Sequence, residues 1–460
     1  MVTKKDGRTI RTGGIWAFLG KFSTSIMTLV INATLARILL TEELGLYFLV
    51  FNIAIFGAYV ATAGFEQTVV KYVADSLAQN RPENVLYMIR TAFLGTLAGS
   101  AAVGVLYYLS SKVIASVIFN IEGLTAITLV LIFWMISNGF QVLIGESFRG
   151  FQNIKFATIF GGLSSTVIFI ALLTIISRFD WYSLSIHSVI VLWITAISLS
   201  NVIGLAVLIK KLSVLKTDQH FSRKPTLTLK KIMPVTLPFM ITALSYFFIT
   251  QADIWMISMI GNQHDIAIYG AAAKLAILMS MPFIILNSVT QPMIASKFAA
   301  GRIKEFEKTL RTVTALAFIP AFLLFIVFVL LGDVLLTLIF GSEVYGNGAL
   351  ILFLLALKHL LVIWSGTAAN LLAMTGYQRK LMMITIITGF ISMAAAALAG
   401  QHYGGVGVAL GFLIAGTLAQ VYMMVSVYRA LRIKGYADFT GIYSLVRKEI
   451  VRLRPARKLV

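Results

Sequence analysis

Six ionisable side chains stand inside or at the rim of long apolar stretches of this chain: Lys21, Arg37, Glu66, Asp253, Lys274 and Lys358, the last followed by His359. Removing a charge from water into an apolar run is costly, so such residues mark binding or ion-coupling positions by default. Three lysines and one aspartate of this set stand strictly inside the runs. That positive excess attracts anions, and an ammonium group is a good point-charge partner for phosphate or diphosphate. A carrier of cations needs an acidic excess instead. Asp253 and Glu66 are the groups able to take up and release an ion, while His359, Gln251 and Asn32 can supply supporting hydrogen bonds. Each has a plainer reading. Lys21 and Lys274 are placed to snorkel to an interface. Asp253 could pair with Lys274, Glu66 could pair with Lys71, Arg37 suits an interfacial anchor, and His359 could be a hydrogen-bonded interior residue. Lys358 is too deep to snorkel easily.

Other chemistry lacks its residues. The chain has no Cys, which excludes thiol catalysis, disulfides and Cys-based metal sites. It has no Walker A run, no His-Glu-x-x-His pair and no Gly-x-Ser-x-Gly elbow, so it is read as a non-enzyme without cofactor or metal. Gly404-Gly405-Val406-Gly407 has no strand to support a nucleotide fold and reads as a tight turn followed by close helix packing. Glu42-Glu43 reads as a solvated helix end.

The elements that must carry these residues are membrane helices. Of 460 residues, 59% are hydrophobic and only 12% charged, against about 25% charged in soluble domains; mean hydropathy is +0.90. Continuous apolar runs long enough to span the hydrocarbon core fall at roughly 14–37, 44–67, 88–110, 124–145, 156–177, 186–209, 233–260, 266–296, 312–340, 347–374, 381–399 and 405–428. The runs do not alternate, which excludes a β-barrel. Met1 to Arg11 is too polar for a cleavable signal, and the first apolar run is a full span.

The net charge of +20 follows from topology. With the N-terminus cytoplasmic, 32 of the 38 Lys and Arg fall on that side, from Lys4 to the tail ending at Lys458. Arg37, Lys112 and Arg178 fall opposite. This positive-inside split predicts twelve spans in the cytoplasmic membrane with both termini cytoplasmic, basic loops facing anionic lipid, and no nucleic-acid partner. The stretch Arg447 to Lys458 is expected to lie on the inner leaflet.

The chain is also internally repeated. Gly150-Phe151-Gln152-Asn153 and Gly376-Tyr377-Gln378-Arg379 are offset by 226 residues, as are Lys71-Tyr72-Val73-Ala74 and Lys297-Phe298-Ala299-Ala300. Asn32-Ala33-Thr34 parallels Gln251-Ala252-Asp253 at 219, and Tyr47 parallels Tyr269 at 222. An even number of spans per half makes the repeat parallel. The expected organisation is a cytoplasmic N-terminus (1–13), a six-helix half (14–209), a flexible basic linker with Pro225 and Pro234 (210–232), a second six-helix half (233–428) and a basic tail (429–460). The fold class is thus an all-α polytopic membrane protein with a cavity between two halves, an architecture suited to alternating access.

Leu35-Ala36-Arg37 through Gly45-Leu46-Tyr47 resembles the first-loop signature of the oligosaccharide (Wzx-like) flippases. That family belongs to the multidrug/oligosaccharidyl-lipid/polysaccharide (MOP) superfamily, with the MATE exporters and lipid II flippases. Ala63-Gly64-Phe65-Glu66-Gln67 through Lys71-Tyr72, Arg149-Gly150-Phe151-Gln152 and Ala252-Asp253 are similar to its exits from spans 2, 4 and 7. The resemblance covers roughly 10–430. It implies a V-shaped two-lobed bundle that moves a polyprenyl-diphosphate-linked oligosaccharide from the inner to the outer leaflet, with Arg37 and Asp253 at family positions. It implies glycan, membrane lipid, and a glycan polymerase or glycosyltransferases as partners of a monomeric carrier. Lys358, Lys274 and Lys21 are candidate cavity cations on the residue reading alone. Two alternatives stand beside it: an ion-coupled MATE-type exporter of small amphipathic cations, and a membrane scaffold or glycan polymerase. Twelve spans, not fourteen, count against a dedicated lipid II flippase.

Overall fold

The computed structural model describes residues 4–121, 123–178, 184–217, 225–299, 301 and 303–440; the side chains of 4–18, 21, 178, 216–217 and several positions between 285 and 305 lie outside the description. Among the described residues there is no strand. In chain order the helices are α1 (Lys4–Ile38), α2 (Thr41–Thr62), α3 (Phe65–Ala78), α4 (Pro82–Val113), α5 (Gly123–Ala126), α6 (Thr128–Gly150), α7 (Ile154–Thr158), α8 (Ser164–Arg178) and α9 (Ile186–Thr217). There follow α10 (Leu229–Thr250), α11 (Ala252–Ile260), α12 (Gln263–Ala276), α13 (Met281–Ala299), α14 (Ile303–Phe340), α15 (Ala349–Ser365), α16 (Ala368–Met374) and α17 (Gln378–Leu431).

Ten described helical stretches are long and apolar enough to cross a membrane. The longest, Gln378–Leu431, is two spans joined at Gly404, whose φ of 55° and ψ of −136° leave the helical region. The shorter apolar stretch Phe22–Ile38 supplies the first span. Each of the twelve apolar runs therefore finds a helix, and the protein is a multi-pass, all-α membrane protein.

The apolar pattern did not show where helices break. The second run splits at Ala63 and Gly64, both left-handed, before α3. The seventh splits at Gln251 between α10 and α11, and the tenth at Gly366, with φ 74°, between α15 and α16. Pro234, expected in a flexible linker, lies inside α10 with Pro238, and α9 continues to Thr217, so helix occupies both ends of the 210–232 segment. The stretch Arg447 to Lys458 lies outside the described residues.

By packing, Met1–Ala271 with Leu338–Tyr345 form one compact unit, and Ala272–Thr337 with Gly346–Val460 the other. In the first unit α6 packs against α2, α3, α4 and α9. Its core at one end gathers Phe65, Val69, Val85, Met88, Leu143, Phe148, Phe160 and Ile232. In the second, α17 packs against α15 and α16, around Ile294, Phe306, Leu310, Leu371, Met423 and Val427. Lipid is as apolar as leucine, so close backbone approach rather than water exclusion drives such packing. Gly145 illustrates it: a Cβ there would lie 2.7 Å from Gly161 Cα. Leucines and valines meanwhile point outward, as at Leu94, Leu106 and Leu109 of α4 and Leu323 and Leu330 of α14. Interior hydroxyls such as Thr68, Ser147 and Thr314 donate to carbonyls four residues earlier, which satisfies them without water.

Candidate functional site

The break after α10 builds a polar locus in the first unit. Gln251 has φ −134° and interrupts the helix within a span. Such breaks persist in membranes only where other groups replace the lost backbone bonds. Asn52 of α2 donates from Nδ2 to Gln251 Oε1 at 3.4 Å, while the buried Asn52 Oδ1 has no partner. Two residues on, the buried Asp253 opens α11, a position where the helix dipole favours a carboxylate. Its Oδ1 accepts from the Ile254 N–H at 3.0 Å, and its Oδ2 accepts from the Tyr269 hydroxyl at 3.2 Å. Asn52, Gln251, Asp253 and Tyr269 thus tie α2, the span 7 break and α12 together.

Glu66 sits at the second break. It is 3% exposed in the first turn of α3, directly after the left-handed Ala63 and Gly64. A Cβ on Gly64 would collide with the Thr236 carbonyl of α10, and its φ of 84° also favours glycine. The Thr68 and Thr236 hydroxyl oxygens lie 3.1 Å apart, a contact that pins α3 to α10. Close to Glu66 is Glu146 of α6, which pairs with Arg149 at 2.9 Å. Sequence reasoning missed Glu146 because the apolar run ends at 145, whereas α6 continues to Gly150. The signal available was the Glu-x-x-Arg spacing of Glu146 and Arg149, which places both on one face.

Lys358 lies half-buried on α15 in the second unit, with Nζ 5.6 Å from the Phe412 ring centroid on α17. Gly416 makes room for its stem: a Cβ there would lie 3.7 Å from Lys358 Cγ. An ammonium over an aromatic face is attracted by the ring quadrupole. His359 follows it, half-buried. Lys274 is half-buried in the last turn of α12, and α15 packs on the 3-10 turn Ile277–Ser280 just after it.

Arg37 has a different setting. Exposed at the end of α1, it donates to the carbonyls of Leu338 (2.7 Å) and Ile339 (3.3 Å) in the last turn of α14. A guanidinium there satisfies orphan carbonyls and complements the helix dipole. Asn32 donates to Thr28 O at 2.6 Å within its own helix, and its buried Oδ1 has no partner. Lys21 is on α1, but its side chain lies outside the described residues. Glu66 with Glu146, and Asp253 with Gln251, are brought together; Arg37 and Asn32 stand apart from both. Among the described residues no group of three or more His, Cys, Asp or Glu is arranged to hold a metal ion.

A family model of polysaccharide biosynthesis proteins matches residues 10–298. The chain belongs to this polysaccharide biosynthesis protein family. A MatE model matches residues 238–398 of the same family member. Among solved structures it is similar to an inward-facing multidrug resistance MATE family transporter of the MOP superfamily, with a TM-score of 0.70 at 14% identity over 94% of this chain and 96% of that one. It is similar to the lipid II flippase MurJ in an inward closed conformation, with a TM-score of 0.69 at 14% identity over 97% and 94%. A MOP superfamily transporter from Pyrococcus furiosus, described as having a binding pocket of reversed polarity, gives a TM-score of 0.60 at 14% identity over 92% and 95%. At such identities the likeness is one of fold. No curated protein sequence matches.

Proposed function

We propose that this polysaccharide biosynthesis family member is a flippase. It moves a polyprenyl-diphosphate-linked oligosaccharide from the inner to the outer leaflet by alternating access, for assembly of cell-surface polysaccharide or another glycan. The observation that carries the reading is the family match over residues 10–298. The interior lysines support it, because a diphosphate headgroup must exchange water for cationic partners. Lys358 and Lys274 of the second unit, with Lys21, are the cations proposed to hold it. Arg37 is kept as a fourth, although capping α14 already engages its guanidinium. Asp253 and Glu66 are the proposed ion-coupling groups, with Gln251, Asn32 and His359 in support. The polyprenyl tail stays in lipid while the headgroup crosses.

The setting proposed is the cytoplasmic membrane, with both termini and the basic loops inside, a monomeric carrier, and handover to a glycan polymerase or glycosyltransferases. A second reading, an ion-coupled exporter of small amphipathic cations, draws on the MatE match at 238–398. The family match over residues 10–298, which covers more of the chain, favours the flippase over it. Reconstitution decides between them. Proteoliposomes loaded with polyprenyl-diphosphate-linked oligosaccharide in one leaflet are expected to expose it to an added glycosidase in the other. Absence of exposure, together with uptake of a cationic dye, would replace the flippase with the exporter.

A further inference from the structure

Glu66 and Glu146 stand on α3 and α6, two helices packed closely in the first unit. They lie near enough for their charges to repel. Each has an orphan oxygen: Oε2 of both residues is buried and has no hydrogen-bond partner. Glu66 is 3% exposed, and the Glu146 side chain 14%. Buried polar atoms nearly always find a partner, so two orphans on neighbouring carboxylates need an explanation. The partners of the other oxygens account for one negative charge. Arg149 pairs with Glu146 Oε1 at 2.9 Å. Glu66 receives only neutral donors, the Thr62 hydroxyl and local backbone N–H groups. The other titratable groups facing the pair are Tyr59 beside Glu66 and, next to Tyr59, Tyr246 of α10. Both are neutral hydroxyls. Among the described residues one cation thus pairs with the two carboxyls, and like charges in a dry interior do not both ionise.

We infer that Glu66 and Glu146 form a proton-binding site, holding one proton between them at neutral pH and exchanging it through the Arg149 end. Arg149 is half exposed, with 51% of its side chain accessible, and stands on the side of the basic loops, so Glu146 is the member nearer water. The hinge at Ala63-Gly64 lies immediately before Glu66. Protonation there would bear on how α3 continues α2. This deepens the flippase reading by naming the coupling ion as a proton, and it rests on that reading for its use in transport but not for its existence.

The test is infrared difference spectroscopy of the full-length protein in lipid nanodiscs, without substrate, titrated from acid to alkaline buffer. A protonated-carboxyl C=O band is expected to persist at about pH 7, far above the usual ~4.3 of glutamate. Glu66→Gln should abolish it. Glu146→Gln should move the loss of the band to lower pH, because it removes the like charge while Glu66 stays buried. Glu42→Gln, at an exposed position in the first turn of α2, should leave the band unchanged. Gel-filtration of each variant separates loss of fold from loss of the band. A wild-type spectrum with no such band at neutral pH would overturn the site. So would a band that survives unchanged in both the Glu66 and the Glu146 variant, or one displaced when sodium replaces potassium. Because no substrate is present, failure here leaves the flippase reading intact, and failure of flipping leaves the proton site intact.

Discussion

The Tyr269 hydroxyl donates to Asp253 Oδ2 at 3.2 Å, with both residues buried, and this bond joins the second fragment of the broken seventh span to the start of the eighth. The two residues fell on the same repeat signals that suggested the duplication, yet their pairing was not legible from spacing. It depends on the helix break at Gln251, which turns α11 against α12.

Tyr269→Phe and Asp253→Asn should separate structure from coupling. Tyr269→Phe leaves a buried carboxylate oxygen unpaired, a cost of about 1–3 kcal/mol. It should lower the thermal midpoint in detergent while flipping persists. Asp253→Asn retains an acceptor for Tyr269 but removes the charge. Its midpoint should stay near wild type while gradient-driven flipping falls at least about tenfold. Equal thermal loss in both variants would mean that Asp253 is structural only.

Lys358 and Arg37 should behave differently on truncation. Lys358→Ala is expected to reduce flipping at least about tenfold with little change in stability, since the contact of its Nζ with the Phe412 ring, 5.6 Å from the centroid, is worth only about 0.5–1 kcal/mol. Lys358→Arg should recover part of it. Arg37→Ala removes two bonds to the last turn of α14, so about 0.3–1 kcal/mol of stability should be lost. Side-by-side melting curves and reconstituted flipping rates check both. A stability loss confined to Lys358→Ala would reverse the assignment.

Gly64→Ala should be among the most damaging single changes away from the charged residues. The left-handed conformation alone costs a residue with Cβ about 1–2 kcal/mol. The new methyl would also strike the Thr236 carbonyl of α10. Yield of monodisperse protein is the readout; a wild-type yield would show that the α2–α3 break can relax.

Helix number and fold class were readable because burial in lipid demands long unbroken apolar runs. The breaks were not. Gly64, Gln251 and Gly366 sit within apolar stretches, and hydropathy averages over them. Glu146 escaped for a related reason: a charged residue one position beyond a run reads as loop, while the helix carrying it runs to Gly150. The inner lysines were visible from sequence, whereas the task of Arg37 at the end of α14 needed the fold, because its partners lie 301 and 302 residues away.

The segment after the last span makes an acid-sensitive clasp within the second unit. Asp438 Oδ2 lies 3.2 Å from Arg311, Ala437 N–H donates to Trp364 O at 3.0 Å, and Arg311 stacks 4.8 Å over Tyr436. The Thr440 hydroxyl, then the Thr440 N–H, hold the Asp438 carboxyl below its ordinary range; exposure loss opposes this slightly, and Arg311 and Lys308 add to it. A carboxyl lowered on folding stabilises the clasp above its unfolded value of ~3.9 and gives that up as pH falls through the folded value. Hydrogen exchange at Ile433–Thr440 should therefore rise only in acid, below about pH 4, and stay constant from neutral to alkaline pH. In Asp438→Asn that acid step should vanish. An equal acid response in the variant would assign it elsewhere.

The most direct measurement is leaflet-resolved quantitation of polyprenyl-linked oligosaccharide in cells lacking this protein and without a redundant flippase, complemented with wild type or Lys358→Ala. The account predicts accumulation in the inner leaflet, relieved by wild type and not by Lys358→Ala. Unchanged leaflet distribution in the deletion cells would contradict it.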